Sequence, residues 1–285
     1  MTRILLTGAN GMLGSTIHQA YQNKFDVIPL TRDSLDLLDF ISVKKFFGES
    51  SPDVIIHTAA YTNVEEAERS PYECYKVNYT ATLNLVNAAK GARTKFIYLS
   101  STGCYGNYKN EAYAEYDPVI PTTIYHKSKF DGENAVRELV NDHLILRLGW
   151  LYGGSIGHKK NFVHNRYLEA KKADSITSDP FQVGNPTNVE DITNQLEQLI
   201  TLDVIGTFNM VANGFCTRYE YVKTIVEAFN LPCIVLKADK PFKRLAQVSP
   251  NESAVNFNLE TLGMNMMQDW ESSLKTYINT LKQHV

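Results

Sequence analysis

The sequence predicts an α/β fold: a doubly wound parallel sheet with a smaller C-terminal α/β lobe. Through the first half of the chain, short apolar runs alternate with longer amphipathic stretches, as strands buried on both faces alternate with crossover helices. A glycine-rich turn directly follows the first of these runs. After Trp150 the alternation loosens into shorter elements, which indicates a second lobe.

The expected elements follow from these patterns. The five strands expected in the first half are RILLT, FDVIPL, DVIIH, KFIYLS and HLILRLG. The helices expected there span residues 12–23, 41–49, 71–90 and 121–141. In the second half we expect strands at SITSD and GTFNMV, an ordered loop at PFQVGNPT, and helices over residues 161–172, 188–202, 218–230 and from 269 onward.

Composition excludes several classes of protein. Lys and Arg number 28 against 31 Asp and Glu, which gives a net charge of −3 and no basic field for nucleic acid. The 4 cysteines are scattered without a metal-binding spacing, so we expect a reducing compartment and no metal site. No apolar run approaches the ~20 residues that cross a bilayer. We therefore expect a cytoplasmic protein, monomeric or homodimeric, that does not bind membranes.

The first predicted strand runs into TGANGMLG, a G-x-x-G-x-x-G pattern at Gly8, Gly11 and Gly14. Glycines at a strand-to-helix turn let the backbone approach a pyrophosphate, whose charge is stabilised at the helix N-terminus. A glycine-rich turn without a ligand is the alternative, but the strand and helix that flank the motif favour a dinucleotide. The residues that we expect to contact the cofactor here are Gly8, Asn10, Gly11, Met12 and Leu13.

This motif divides the chain into two functional parts. We assign residues 1–150, plus about 186–204, to a dinucleotide-binding domain of the Rossmann type. Residues 151–185 and 205–285 are assigned to a substrate lobe.

The end of the second strand indicates which dinucleotide is bound. An acidic residue there would bind the ribose 2′-OH of NAD, whereas this chain has Thr31 and Arg32. A guanidinium suits a 2′-phosphate, so we expect NADP(H) to be preferred over NAD(H), although Asp33 weakens the argument. Asp36, followed by Leu37, either binds the adenine or merely caps or precedes a helix.

The carboxyl edge of the third strand carries small residues in HTAAYTN. Open α/β sheets bind ligands at this edge, and small side chains let a cofactor lie against the backbone. We therefore place Ala59, Ala60 and Tyr61 at the cofactor. Alanine is also common filler, so the pattern is weak when taken alone.

The fourth strand ends in LSSTGCYG, and the next long helix begins with IYHKSK, which contains Tyr125 and Lys129. Residues four apart share a helix face. A lysine ammonium about 4 Å from a tyrosine would lower the tyrosine pKa by ~2–3 pKa units. We expect both residues to contact the cofactor and Tyr125 to donate a proton, while a serine hydroxyl holds a carbonyl oxygen.

These pieces in this order resemble the extended short-chain dehydrogenase/reductase superfamily. AAYTNVEEAE, RLGWLYG and GNPT make the chain most similar to the dTDP-4-dehydrorhamnose reductase family of nucleotide-sugar reductases. The resemblance implies NADPH-dependent reduction of a nucleotide-linked 4-keto-6-deoxy sugar. It implies that Ser101, rather than Ser100 or Thr102, joins Tyr125 and Lys129 in catalysis.

The resemblance also assigns residues to the substrate. Thr62, Thr102 and Trp150 are the positions expected to contact it, although Trp150 would otherwise be interpreted as a core aromatic. Two departures from the family bear on substrate choice. Thr102 stands where the family commonly has an acidic residue, and SPNES, residues 249–253, lacks the arginine of the family's Arg-Pro pair.

Other functions remain compatible with the sequence. A dehydratase is disfavoured, because it would need carboxylates directly after the catalytic hydroxyl, where this chain has Thr102, Gly103 and Cys104. A nucleotide-sugar epimerase of the same superfamily and a non-enzymatic NADP-binding regulatory subunit stay open as alternatives. The sequence does not identify the nucleotide, the sugar or the stereochemistry at C4. Lys159, Lys160 and Arg166 are either diphosphate contacts or a solvated basic stretch.

Overall fold

The computed structural model describes residues 1–284. Its strands are β1 (Arg3–Thr7), β2 (Asp26–Leu30), β3 (Val54–His57), β4 (Lys95–Ser101), β5 (His143–Leu148), β6 (Trp150–Tyr152), β7 (Ser175–Ser178), β8 (Val183–Gly184), β9 (Pro186–Asn188), β10 (Gly206–Met210), β11 (Cys216–Thr217) and β12 (Ile234–Lys237).

The α-helices are α1 (Met12–Tyr21), α2 (Phe40–Ser50), α3 (Val64–Arg69), α4 (Pro71–Tyr75), α5 (Ala81–Ala89), α6 (Ile124–Leu139), α7 (Phe162–Ala170), α8 (Val189–Thr201), α9 (Arg218–Ala228), α10 (Phe257–Thr261) and α11 (Trp270–Leu281). A π-helical turn (Lys76–Thr80) joins α4 to α5, and a 3₁₀ turn (Thr102–Tyr105) follows β4. Within residues 1–284, no helix has the length and apolar character needed to cross a bilayer.

Six parallel strands form the main sheet in the order β10-β5-β4-β3-β1-β2. The predicted doubly wound parallel sheet is confirmed. From β1 the chain proceeds to β2 on one side and to β3 on the other, so the strand order reverses between β1 and β3. Ligands of doubly wound sheets bind at the carboxyl edge of such a reversal.

The sheet is buried on both faces because its strands are apolar throughout. Ile4 and Leu6 point toward one core, which includes residues of α1 and α8. Leu5 lies between them in sequence and points toward the opposite core, which includes residues of α2, α5 and α6. This alternation accounts for the continuous hydrophobic runs that predicted the strands.

The predicted limits of the second lobe need one correction. Residues from 205 onward were assigned to that lobe, but β10 is the outermost strand of the main sheet and pairs with β5. Phe208 and Met210 on β10 are buried in the same core as Ile4. The strand is short and follows α8, so its sequence alone did not distinguish a sixth strand of the first sheet from a strand of the second lobe.

The smaller C-terminal lobe contains short strand pairs and three helices. β7 pairs with β12, and β8 pairs with β11. α7, α9 and α11 surround a core of their own, whose buried members include Tyr152, Val163, Ile225 and Leu274. The parallel pair of β6 and β9 connects this lobe to the end of β5.

The helix predicted over residues 71–90 is interrupted in the structure. Its central part is the π-helical turn, in which the backbone carbonyl of Asn78 accepts a hydrogen bond from the Thr82 hydroxyl at 2.7 Å. Such a widened turn is produced by tertiary contacts of Asn78 and has no local sequence signal. α3 was not predicted either. Asn63 caps it, since the side chain of Asn63 accepts a hydrogen bond from the Glu66 backbone.

Candidate active site

The glycine-rich turn between β1 and α1 forms a tight backbone cradle. Gly8 has a φ of 66°, in the region that favours glycine. A Cβ atom on Gly14 would lie 2.2 Å from the Gly8 carbonyl oxygen, so only glycine fits there. Gly11 precedes the first residue of α1 and donates its N–H to the Gly8 carbonyl at 2.9 Å. Backbone N–H groups at the start of α1 are thereby left open to an anion.

A cavity of about 950 Å³ lies over this turn. It extends along the carboxyl ends of β1, β2, β3 and β4, where the strand order reverses. The predicted cofactor and substrate residues that line it are Gly8, Asn10, Gly11, Met12, Leu13, Arg32, Asp36, Leu37, Ala59, Ala60, Thr62, Tyr125 and Lys129. The four remaining predicted residues lie outside its lining: Tyr61, Ser101, Thr102 and Trp150.

The far end of the cavity carries the residues predicted to select the cofactor. Arg32 is exposed and forms no ion pair with another residue in the range 1–284. The Asp36 carboxylate accepts a hydrogen bond from the Leu38 backbone at 2.9 Å and lines the cavity. The cap of α2 is Asp39, which accepts hydrogen bonds from Ile41 and Ser42. Asp36 therefore precedes α2 without capping it.

Tyr125 and Lys129 occupy the first turns of α6, which Thr123 caps by accepting a hydrogen bond from the His126 backbone at 3.1 Å. The Lys129 side chain is buried, and its ammonium lies 4.1 Å from the centre of the Tyr98 ring. Burial lowers the pKa of Lys129 to about 8, against the opposing effect of Cys104 and Glu133. The lysine therefore carries an ammonium near neutral pH that deprotonates more easily than usual.

The expected lowering of the Tyr125 pKa is not seen in this protein. Burial, followed by the influence of Cys104, raises the pKa of Tyr125 above its ordinary value. The charge of Lys129 alone predicts a lower pKa for Tyr125. Burial also removes water from the phenol, and this disfavours the charged form. Tyr125 is thus held as a neutral proton donor.

The three hydroxyl residues at the end of β4, Ser100, Ser101 and Thr102, differ in exposure and in their contacts. Ser100 lines the cavity, and its hydroxyl lies 3.7 Å from the sulfur of Cys104. Ser101 is partly exposed and accepts a hydrogen bond from the Gly103 backbone at 3.3 Å, which caps the 3₁₀ turn. Thr102 is buried in that turn. Ser100 and Ser101 both lie at the carboxyl edge of the sheet, and Ser100 lines the same cavity as Tyr125.

Asn78 is a site residue that the sequence did not reveal. Its side-chain oxygen accepts the Tyr61 N–H at 2.7 Å, and its side-chain nitrogen donates to the Ser128 hydroxyl at 2.9 Å. The Ser128 hydroxyl in turn donates to the Tyr125 carbonyl at 2.7 Å. Asn78 therefore ties the loop after β3 to the helix that carries Tyr125. Its position in a π-helical turn explains why periodicity gave no sign of it.

His57, the last residue of β3, is held by hydrogen bonds at the carboxyl edge of the sheet. One ring nitrogen lies 2.7 Å from the Thr7 hydroxyl and the other 3.0 Å from the Thr82 hydroxyl. Burial, with a smaller effect of Lys129, lowers the pKa of His57 to about 3, so the ring is neutral. The Thr7 hydroxyl also accepts the Ala59 N–H at 3.3 Å. These hydrogen bonds hold β1 and the loop after β3 together at the edge of the cavity.

The glycine-containing segment after β6 crosses the cavity. His158, Lys159 and Lys160 all line it, and the Lys160 ammonium donates a hydrogen bond to the Thr62 hydroxyl. The His158 ring lies 3.3 Å from the Ser15 hydroxyl on α1. The sequence gave Lys159 and Lys160 as either diphosphate contacts or a solvated stretch, and did not single out His158.

Trp150 lies in sequence between Leu148 and Leu151, which line the cavity, and its indole is held by a polar contact. Its indole N–H donates to Glu252 at 2.7 Å. The other oxygen of that buried carboxylate lies 3.9 Å from the His126 ring. The His126 ring in turn occupies the space beside Gly103, where a Cβ atom would lie 2.2 Å from the ring nitrogen. His126, Glu252 and Gly103 were not predicted as a set, because their contact requires the fold.

The parallel sheet, the glycine cradle and the tyrosine–lysine pair on one cavity define an extended short-chain dehydrogenase/reductase fold. The chain belongs to the family described as the RmlD substrate binding domain, which matches residues 1–283. The resemblance stated from the sequence is confirmed.

Relatives of two kinds are similar to this chain. The dTDP-4-dehydrorhamnose reductase of Aggregatibacter actinomycetemcomitans is 31% identical over 290 residues, covering 96% of this chain and 98% of the relative. Methionine adenosyltransferase 2 subunit beta of Pongo abelii is 29% identical over 288 residues, covering 96% and 86%. A solved structure of dTDP-4-dehydrorhamnose reductase from Bacillus anthracis, in complex with NADP, has a TM-score of 0.93 and 30% identity, covering 98% of this chain and 100% of that chain.

Proposed function

We propose that the protein is an NADPH-dependent reductase that converts a nucleotide-linked 4-keto-6-deoxy sugar to its alcohol. One observation carries the proposal: Tyr125 and Lys129 line the same cavity as the glycine cradle of Gly8 and Gly11. A proton donor is thereby brought to the place where a dinucleotide would deliver reducing equivalents. The reductase relatives support the same activity.

The residues around the cavity fit a nicotinamide dinucleotide. Gly8 and Gly14 permit the tight turn between β1 and α1, because a Cβ atom on either would collide with neighbouring backbone, and the start of α1 presents N–H groups to a pyrophosphate. NADPH supplies a hydride when it is bound. Arg32 is exposed on the cavity wall beyond β2, where its guanidinium would hold the 2′-phosphate. We therefore propose that NADPH is preferred over NADH.

Each catalytic group has a role set by its surroundings. Tyr125 donates the proton to the sugar oxygen, since burial keeps its phenol protonated. The Lys129 ammonium stabilises the tyrosinate that forms, because the two groups share a helix face and the surroundings are buried. Ser101 donates a hydrogen bond to the same sugar oxygen. Asn78 positions α6 against the loop after β3.

The two lobes are proposed to bind different ligands. We propose that residues 1–150, about 186–204 and β10 hold the cofactor, and that the rest of the C-terminal part holds the sugar nucleotide. Thr62 lines the cavity on the first lobe. Thr102 and Trp150 lie outside its lining, beside the second lobe.

The test is consumption of NADPH with a panel of freshly prepared 4-keto-6-deoxy sugars linked to dTDP, UDP, GDP or CDP. We expect turnover with one sugar nucleotide and slower turnover with NADH. Tyr125→Phe should lose roughly a hundredfold or more in turnover while binding NADPH normally. Tyr116→Phe, at an exposed tyrosine far from the cavity, is the matched control. Full activity in Tyr125→Phe would contradict the proposal.

A second function is favoured by the similarity to methionine adenosyltransferase 2 subunit beta. In this alternative the protein binds NADP without turnover and regulates a partner enzyme. Tight NADPH binding, silence across the sugar panel and a copurifying enzyme whose activity changes on addition of this protein would support it. Turnover that depends on Tyr125 would exclude it.

A further inference from the structure

Arg218 carries an unused guanidinium at the edge of the second lobe. It is the first residue of α9, and its backbone N–H donates to the Gln182 carbonyl at 2.9 Å. Its side chain forms no hydrogen bond or ion pair with any residue in the range 1–284. The residue is partly exposed, so its donors are accessible from the solvent side. An arginine has five N–H donors in a planar fork, and a partly desolvated fork without acceptors is suited to an anion.

Aromatic rings fix the direction of this guanidinium. Its central carbon lies 3.4 Å from the centre of the Trp150 ring and 5.2 Å from that of Phe162. Gly184 packs against the same indole, where a Cβ atom would lie 2.3 Å from the ring. Trp150 is thus held between its contacts with the Gly184 backbone and with Arg218, and its ring fixes the position of the guanidinium.

The charges around Arg218 leave it available. Burial lowers the pKa of Arg218 to about 10, against the opposing effect of the Glu252 carboxylate. Glu252 is not within ion-pair distance of Arg218, and its oxygens face the Trp150 indole, the Gln182 amide at 3.5 Å and the His126 ring. Arg244 also faces this region but is paired with Glu65 at 2.7 Å. Arg218 remains charged at neutral pH and without a counterion.

Arg218 is linked by direct contacts to the predicted reacting centre. From Arg218 the contacts lead through Trp150, Glu252 and His126 to Tyr125, whose ring centre lies 5.0 Å from that of His126. This series of contacts places Arg218 near the predicted reacting centre and outside the lining of the cavity.

The strand pairing explains how Arg218 relates to the missing arginine of the SPNES segment. Val183 pairs with Thr217 on one side and forms an isolated bridge with Asn251 on the other. Arg218 and the segment from Ser249 to Glu252 thus lie on opposite sides of one strand. Arg218 therefore carries its guanidinium across one strand from the segment that lacks the family's arginine.

We propose that Arg218 binds the diphosphate of the sugar nucleotide and thereby determines that the substrate carries one. This inference rests on the proposed reductase function. The guanidinium forms two parallel hydrogen bonds to phosphate oxygens, while the Trp150 ring holds it in the required plane. Because phosphate groups are shared by all nucleoside diphosphates, the contact does not depend on the base.

The test is calorimetric titration of the full-length protein saturated with NADPH, so that the cofactor site is filled. The probes are dTDP, UDP, GDP, CDP and inorganic pyrophosphate, with the corresponding nucleosides as phosphate-free controls. Arg218→Gln should weaken the tightest diphosphate by roughly ten- to a hundredfold, the range of a charge-assisted hydrogen bond or two. Arg218→Lys should fall between, since it keeps the charge and loses the fork. Arg93→Gln removes one exposed arginine at the opposite edge of the sheet and should change nothing.

The outcomes separate this inference from the reductase proposal. A diphosphate dissociation constant in Arg218→Gln within about twofold of the parent, in a variant that melts normally, would overturn the inference. Failure of the NADPH-saturated parent to bind any of the five probes at millimolar concentration would also overturn it. Loss of diphosphate binding without any NADPH consumption by the parent would support the contact and reject the reductase. Normal turnover with an unchanged KM in Arg218→Gln would support the reductase and reject the contact between Arg218 and the diphosphate.

Discussion

Replacing Lys129 by methionine should stabilise the cofactor-free protein although it removes a proposed catalytic group. The side chain is 2% exposed, and burial lowers its pKa from 10.5 to about 8. At about 1.4 kcal/mol per pKa unit, holding the charged form in the folded state at pH 7 costs about 3 kcal/mol. Methionine avoids this cost and still packs against the Tyr98 ring, while the cation–π contact that is lost is worth about 1–2 kcal/mol.

The net expectation is a gain of about 1–2 kcal/mol in the free energy of unfolding at pH 7. Between pH 8 and pH 10.5 the unfolded parent binds more protons at Lys129 than the folded parent does, so the contribution of Lys129 to stability rises with pH. The variant has no such contribution. Its advantage should therefore shrink by about 2 kcal/mol between pH 7 and pH 9.5.

The assay is urea unfolding of both proteins without cofactor across this pH range. Buried cysteines and tyrosines also titrate, but both proteins share them, so only the part of their pKa shifts that comes from the Lys129 charge enters the difference. Lys95→Met is the control, because Lys95 is similarly buried but paired with Asp142 and Asp203, and its removal should destabilise. A variant at Lys129 that is less stable than the parent at pH 7, or a difference independent of pH, would refute the reasoning.

Three further substitutions test the cavity. Gly14→Ala places a Cβ atom 2.2 Å from the Gly8 carbonyl and should cost at least about 1–3 kcal/mol of stability and weaken NADPH binding measured by fluorescence. Gly103→Ala should destabilise because its Cβ meets the His126 ring, and His126→Ala should relieve it, with a coupling of about 0.5–3 kcal/mol in a double-mutant cycle. Arg32→Gln should raise the KM for NADPH about tenfold or more and leave NADH unchanged.

Each of these has a control and a contradicting result. Gly48→Ala, with open space around its Cβ, is the comparison for Gly14→Ala, and equal NADPH affinity in the two would be inconsistent with the cradle. Additive effects at Gly103 and His126 would show that the two do not compete for space. Equal losses for NADPH and NADH in Arg32→Gln would argue against a 2′-phosphate contact.

The fold was largely predictable because its signals are local. The glycine turn, the apolar runs and the position of Tyr125 four residues before Lys129 are all adjacent in sequence, and each led to the right element. The sixth strand, β10, was placed in the wrong lobe because strand partners are chosen by tertiary packing.

Most predicted residues that line the cavity follow strands directly, and Tyr125 and Lys129 were found from their spacing on a helix. Most predicted cofactor residues line the cavity because the carboxyl ends of parallel strands meet there. Asn78, Glu252 and Arg218 were missed because each acts across a large sequence separation, and no spacing rule links Trp150 to Glu252. The direction of the Tyr125 pKa was wrong for a related reason, since burial is a property of the fold.

The central claim is that Tyr125 supplies the proton for reduction of a nucleotide-linked ketosugar. The most direct measurement is mass spectrometry of the sugar product made with NADPH that carries deuterium at the transferred position, with the parent and Tyr125→Phe compared. We predict that the parent yields a labelled alcohol and one oxidised cofactor per product, and that Tyr125→Phe yields roughly a hundredfold less. Unreduced sugar with the parent, or a labelled product formed equally fast by Tyr125→Phe, would contradict the claim.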